Sequence, residues 1–273
     1  MLQETKMLAR FAGGLRGFLS QPLSEAEARS HLTEALNRRS SAFLELLEHA
    51  VYPVERSPYR WLLQRARLNL NEVRRMVAAR GLEPALGELM DAGVYLTLDE
   101  FKGRTPIRRG RDSFQMSPGA CDNPVLAGHF EATTGGSSGP GRRLVVDLDL
   151  LRHESAGHLL FTIAAGLRDA PLALWRTVPP GTAGLKRALA QSRLRLPFAR
   201  WFTPLRYRPL WPDSKSWAIT TASLAVSRFT PVPIPLPEFV PLDDPGRVAT
   251  WMARVRRAGQ VAYLDAPVSS AVL

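Results

Sequence analysis

Apolar and polar positions alternate along this chain in two periods. Leu15, Phe18 and Leu19 form a short apolar stripe in a basic segment, and Pro22 closes it. Ser24 with Glu27 three residues on is a capping box. It predicts a helix running towards Ala50, with Leu32, Leu36, Phe43, Leu46 and Leu47 as the core face. Between Tyr59 and Ala92 the spacing predicts further short helices, with Gly81 and Gly93 as stops. From Gly110 to Asn123 no period survives, and a loop is expected. Val125, Leu126 and Phe130 then approach a strand, and Leu144 to Leu148 reads as the next one. A helix follows from about Asp149 to Gly166, with Leu150, His153, Gly157, Leu160 and Ile163 sharing faces.

Ala173-Leu174-Trp175 reads as another strand, broken by Pro179-Pro180-Gly181. The segment Thr230 to Pro245 carries Pro231, Pro233, Pro235, Pro237, Pro241 and Pro245, which forbids regular helix and favours extended chain. It reads as an ordered crossover in preference to a proline-motif ligand. Asp243 or Asp244 caps a helix with Val248, Trp251, Met252 and Val255 on one face, and Gly259 ends it. Val261 to Leu264 is a last strand. The alternation gives an α/β class: a helical region over residues 1–56, then βαβ units.

One segment stands out chemically. Between Phe130 and Leu144, the residues Thr133 and Thr134 precede Gly135, Gly136, Ser137, Ser138, Gly139, Pro140 and Gly141, with Arg142 and Arg143 at the exit. Successive backbone N–H groups in such a loop form a concave nest for anions, glycine permits close approach, and hydroxyls add donors. The plainer reading is a flexible Gly/Ser turn. A Walker A reading fails, because Arg142 and Arg143 stand where that motif needs Lys followed by Ser or Thr.

The loop resembles the phosphate-binding signature of adenylate-forming enzymes, roughly Thr-Ser-Gly-Thr-Thr-Gly-x-Pro-Lys. Thr134, Gly135, Gly136, Ser137, Ser138, Gly139 and Arg142 fall on its positions. Gly135 replaces the usual Ser, Pro140 comes one position early, and Arg142 replaces Lys, whose ammonium a planar guanidinium does not duplicate. Ser57-Pro58-Tyr59-Arg60 resembles the "SPYYR" segment of the phenylacetate–CoA ligase and acyl-protein synthetase branch. Leu98-Asp99-Glu100-Phe101-Lys102 with Thr105-Pro106 resembles that branch's approach to the loop, and Asp147-Leu148-Asp149 starts a helix where those enzymes have one. The likeness spans roughly Ser57 to Leu160.

That resemblance implies an incomplete adenylation domain over residues 57–273. It also implies an ATP-dependent ligase that converts a carboxylic acid to an acyl-adenylate and passes the acyl group to a thiol. ATP with Mg²⁺ would be held at Thr134 to Gly139 with Arg142 as charge partner; coenzyme A, a carrier thiol and a protein cysteine stay open as acceptors. The family's downstream glutamate, aromatic-Gly-x-Thr-Glu, ribose-binding aspartate and distal lysine elements are not found, so the catalytic residues are unknown. A fragment, half of a split enzyme completed by a second polypeptide, and a degenerate relative are the explanations, the first preferred. The chain alone is therefore expected not to form acyl-adenylate.

Composition adds a rival. The 273 residues carry a formal charge of +11, and from Pro171 to Pro212 there are eight cations (Arg176, Lys186, Arg187, Arg193, Arg195, Arg200, Arg206 and Arg208) and no acid. Trp175, Trp201, Phe202, Tyr207 and Trp211 are interleaved. Such a stretch can track a phosphate backbone and stack bases, or dock an acidic carrier protein. The bland reading is a solvated basic face. A non-catalytic binding module for nucleic acid or an acidic partner is thus the alternative function. No zinc-finger, RNP or helix-turn-helix pattern supports it.

The single cysteine, Cys121, excludes an internal disulfide framework, and Asp122 beside it disfavours a thiolate nucleophile. No signal peptide or membrane span is read, and a cytoplasmic protein is expected. His153 and His158, five apart, lack metal spacing. His129, ahead of the loop, reads as a core or surface histidine before a ligand-facing one, and no metal site is expected.

Overall fold

The computed structural model describes residues 2–126, 128–133, 143–210 and 213–267. It has two compact units, Met1–Leu32 with Gly128–Leu273, and Thr33–Ala127. Helix α1 (Leu2–Ser20) stops just before Pro22 and buries Phe11, Leu15, Phe18 and Leu19. Helix α2 (Glu25–Asn37) starts on the expected capping box: the Ser24 N–H donates to Glu27 Oε2 at 2.8 Å, and the Glu27 N–H donates to Ser24 Oγ at 3.2 Å.

The long helix expected up to Ala50 is broken. Arg38 leaves helical geometry, α3 (Arg39–Leu46) restarts, and a π turn (Leu47–Val51) widens the last turn. Each break rotates the apolar face, so the predicted stripe does not stay in register. Leu32, Leu36 and Leu46 are exposed, while Leu47 is buried and Phe43 packs beside it. The rest of this unit follows its punctuation. In α4 (Pro58–Arg65) Ser57 caps the N-terminus; α5 (Leu70–Arg80) has an Asn69–Glu72 capping box. Then come α6 (Leu82–Asp91) and the single turn α7 (Leu98–Phe101), capped by Thr97 and Glu100. Gly81 and Gly93 both take the positive φ that lets a helix end there. Where a loop was expected from Gly110, a short antiparallel hairpin forms from β1 (Ile107–Arg109) and β2 (Asp112–Phe114).

In the other unit, β3 (Phe130–Thr133) and β4 (Arg143–Val146) pair antiparallel, from Phe130 opposite Val146 to Thr133 opposite Arg143. Asp147 caps α8 (Leu148–Ala164), its carboxylate accepting from the Asp149 N–H at 2.6 Å. The buried face of α8 is Leu148, Leu151, Ser155, Ala156, Leu159 and Thr162. The expected face through Leu150 and His153 points outward, because apolar residues surround this helix and periodicity cannot choose among them. Ser155 and Thr162 are tolerated inside because their hydroxyls donate to the Leu151 and His158 carbonyls.

Then come β5 (Leu172–Trp175), α9 (Thr182–Arg193), β6 (Phe198–Thr203), α10 (Ser214–Ser227), β7 (Pro237–Phe239), α11 (Gly246–Arg257) and β8 (Tyr263–Asp265). The last four strands form one parallel sheet in the order β7-β6-β5-β8. All four residues of β5 are buried, as a parallel strand covered on both faces requires. Its side chains alternate between two cores. Leu172 and Leu174 join Trp201, Leu185, Leu189 and Ile219 on one face; Ala173 and Trp175 join Phe202, Val248, Trp251 and Val255 on the other. The chain is therefore α/β, with helices covering both faces of a parallel sheet.

Candidate functional site

The nucleotide-loop candidates Thr134, Gly135, Gly136, Ser137, Ser138, Gly139 and Arg142 lie outside the described residues. What is described is the base from which that segment springs. The β3–β4 ladder sets Thr133 directly opposite Arg143. Arg143 donates twice to Glu131 Oε1, at 2.9 and 2.7 Å, and Lys215 Nζ sits 3.3 Å from Glu131 Oε2. The Arg143 hydrogen bond and the neighbouring cations hold the Glu131 carboxyl below its ordinary range. The second exit arginine thus ties β4 to β3 through Glu131. His129 is structural: its Nδ1 accepts from the Leu148 N–H at 3.2 Å, beside Asp147 at 3.7 Å. Cys121 is exposed and forms no disulfide. Among the described residues no group of three His, Cys, Asp or Glu side chains could hold a metal ion.

A second constellation emerges only from the fold. From β5 the chain steps outward through β6 to β7, then returns by α11 to place β8 on the opposite side of β5. The strand order therefore reverses between β5 and β8, and ligands of open α/β sheets bind outside the carboxyl ends of the strands at such a point. Arg176 directly follows β5, and Asp265 ends β8. With Glu154, Gly157 and His158 of α8 and Ala183, Lys186 and Arg187 of α9, they line a cleft of about 550 Å³.

The hydrogen bonding there is asymmetric. Asp265 accepts from Arg176 Nε through Oδ1 and from Arg187 Nε through Oδ2, the latter at 3.0 Å. Arg187 Nη2 donates to the Tyr263 hydroxyl at 3.1 Å. Lys186 Nζ donates to Glu154 at 2.8 Å. Arg187 Nη1, on a side chain only 4% exposed, is buried and meets no acceptor. Burial, then the nearby Arg187 charge, push His158 below its ordinary value, against the pull of Asp265 and Glu154. The ring is consequently neutral near pH 7.

No family model, curated protein or solved structure matches this chain. The site therefore has to be read from its own chemistry.

The basic stretch that suggested nucleic acid is mostly spent internally. Arg176 and Arg187 bind Asp265, Lys186 binds Glu154, and Arg200 binds Glu238 at 2.7 Å. Arg193 donates to the Gln21 carbonyl at 2.9 Å, and Arg206 lies over the Phe239 ring at 4.3 Å. The acids that the stretch lacks are supplied from other elements. Trp175, Trp201 and Phe202 are core residues, not stacking platforms; Trp211 lies outside the described residues. No described helix is long and apolar enough to cross a membrane.

Sequence reasoning saw Arg176, Lys186, Arg187 and His158 but did not assemble them, and it passed over Asp265 as a site residue. A usable signal existed. Arg176 and Asp265 are the first charged residues at the carboxyl ends of two apolar strands, where α/β proteins place ligand-binding groups.

Proposed function

We propose that the chain is part of an ATP-dependent ligase that activates carboxylic acids as acyl-adenylates, with Thr134 to Gly139 and Arg142 holding the nucleotide phosphates. The single observation that carries this reading is the agreement between the signature-like loop and its supports. An antiparallel pair closes on the loop's two flanks, an Asp-capped helix follows at once, and that helix leads into a parallel α/β sheet. The flanking strands fix where the segment leaves and re-enters the fold, and its backbone N–H groups would be the donors to phosphate oxygens. This loop would position the phosphates and stabilise their charge; ATP supplies the leaving pyrophosphate. Arg142 would provide a fixed cation near the transferred charge.

The test is a titration of the 273-residue chain with MgATP, followed at backbone amide resonances. Shifts concentrated in Thr134 to Arg142 are the expected result. Saturating shifts elsewhere with this segment unmoved, or no saturable shift at all, would overturn the proposal.

A further inference from the structure

We propose that the cleft at the β5–β8 switch point is a binding site for an oxyanion, the carboxylate or phosphate group of a small-molecule ligand, seated against Arg187 with Lys186 and Arg176 beside it. This site is separate in the chain from the Gly/Ser loop, and the inference stands whether or not the loop binds ATP.

The strongest observation is the unfinished hydrogen bonding of Arg187. Its Nε is held by Asp265 and its Nη2 by Tyr263, so the guanidinium plane is fixed at two corners. The remaining corner, Nη1, is buried and has no acceptor. Leaving a charged donor unsatisfied away from water is costly, and folded chains seldom retain one without a use. Arg187 lines the cleft with two corners of its guanidinium locked, so little ordering is left for a side-chain adjustment that would bring Nη1 to an oxyanion there.

The charges agree. Arg176, Arg187 and Lys186 line the cleft with Asp265 and Glu154. Asp265 is shared by both arginines, and Glu154 is taken by Lys186. With His158 neutral, one positive charge lacks a counter-ion among these lining residues. A singly charged oxyanion balances it. The volume of about 550 Å³ suits a small ligand, and the position is where open α/β sheets place theirs.

His158 gives the site its own reporter. The groups acting on its ring are Arg187 and Lys186, which disfavour the imidazolium, and Asp265 and Glu154, which favour it. An anion in the cleft adds a favouring charge, so occupancy should raise the pH at which this ring protonates.

The experiment is a histidine side-chain NMR titration of the full chain at constant ionic strength in a phosphate-free buffer. Inorganic phosphate and benzoate serve as separate probes, and His158→Gln assigns the resonance. The expected result is a saturable shift of His158 with at least one probe and an upward move of its titration midpoint. Lys186→Gln should weaken that probe by about tenfold, equivalent to ~1.4 kcal/mol, and Arg187→Met should abolish its effect. Response to phosphate alone or to benzoate alone identifies the source of the oxyanion. No saturable shift with either probe would overturn the proposal, as would shifts unaltered in the variants. If Arg187→Met fails to fold, Lys186→Gln decides.

Discussion

Replacing Asp265 by Ala removes one carboxylate from between two guanidinium groups. Arg187 is only 4% exposed and Arg176 28%, so neither charge regains much water when the partner is lost. Breaking a buried pair from one side typically costs about 3–5 kcal/mol, because an uncompensated buried charge remains. The 16% exposure of Asp265 itself puts the expectation near the lower end, about 3 kcal/mol. For a unit of this size that corresponds to a fall of roughly 6–12 °C in melting midpoint. Urea unfolding read by tryptophan fluorescence measures it, since Trp175 and Trp201 sit in the same sheet. The cause is tested by repeating the substitution in an Arg187→Met background. With the buried cation gone, the Asp265→Ala cost should drop by about 2 kcal/mol, a coupling within the range for contacting residues. An Asp265→Ala protein within about 0.5 kcal/mol of the parent would refute the reasoning, as would costs that simply add.

Two further substitutions probe the supports of the sheet and of the loop. A Cβ at Gly184 would overlap the Thr177 carbonyl and stand 3.2 Å from Trp201 Cζ2, so Gly184→Ala should destabilise by about 1–3 kcal/mol; a neutral urea midpoint would contradict this close approach. Glu131 has its folded carboxyl held below the ordinary value of 4.5 by Arg143 and the nearby cations. Its stabilising contribution is complete above the unfolded value and is lost as pH falls through the folded one. Glu131→Gln should therefore flatten the stability profile below pH 4.5, and equal slopes for both proteins in acid would disprove it.

Elements marked by local chemistry were legible in the sequence. Pro22, the Ser24–Glu27 box, Gly81 and Gly93 mark boundaries where the structure has them, because caps and positive-φ stops are satisfied within a few residues; the strand read through Leu148 instead ends at Val146, and Asp147 caps the helix. Helix α11 was legible too, since Val248, Trp251 and Val255 form one buried face with arginines opposite. What failed was the choice of face wherever the pattern was interrupted or ambiguous. Leu32 and Leu36 look like core residues by spacing but are exposed, and past the break at Arg38 the buried positions are Leu47, Ala50 and Val51. Helix α10 escaped notice because its buried side carries Ser216, Thr220, Ser223 and Ser227, whose hydroxyls bond back to the helix or chain nearby and pack like small apolar groups. Strand β6 was hidden by Arg200, whose charge is met by Glu238 on the neighbouring strand.

The candidate sites differ in the same way. The Gly/Ser loop is a contiguous motif and could be read directly. The switch-point cleft draws on Glu154, His158, Arg176, Lys186, Arg187 and Asp265, spread over more than a hundred positions. No spacing rule links them; only the strand order does. The pairing of the basic stretch was hidden for a related reason, since its acidic partners Glu154, Glu238 and Asp265 all lie outside it.

The most direct measurement of the central claim is calorimetric titration of MgATP into this chain and into its Arg142→Ala variant. The account predicts saturable binding to the parent and about tenfold weaker binding to the variant, the effect of one charge-assisted contact of ~1.4 kcal/mol. Equal affinity in the two proteins would contradict it, and so would an absence of ATP binding alongside steeply salt-dependent binding to RNA or DNA.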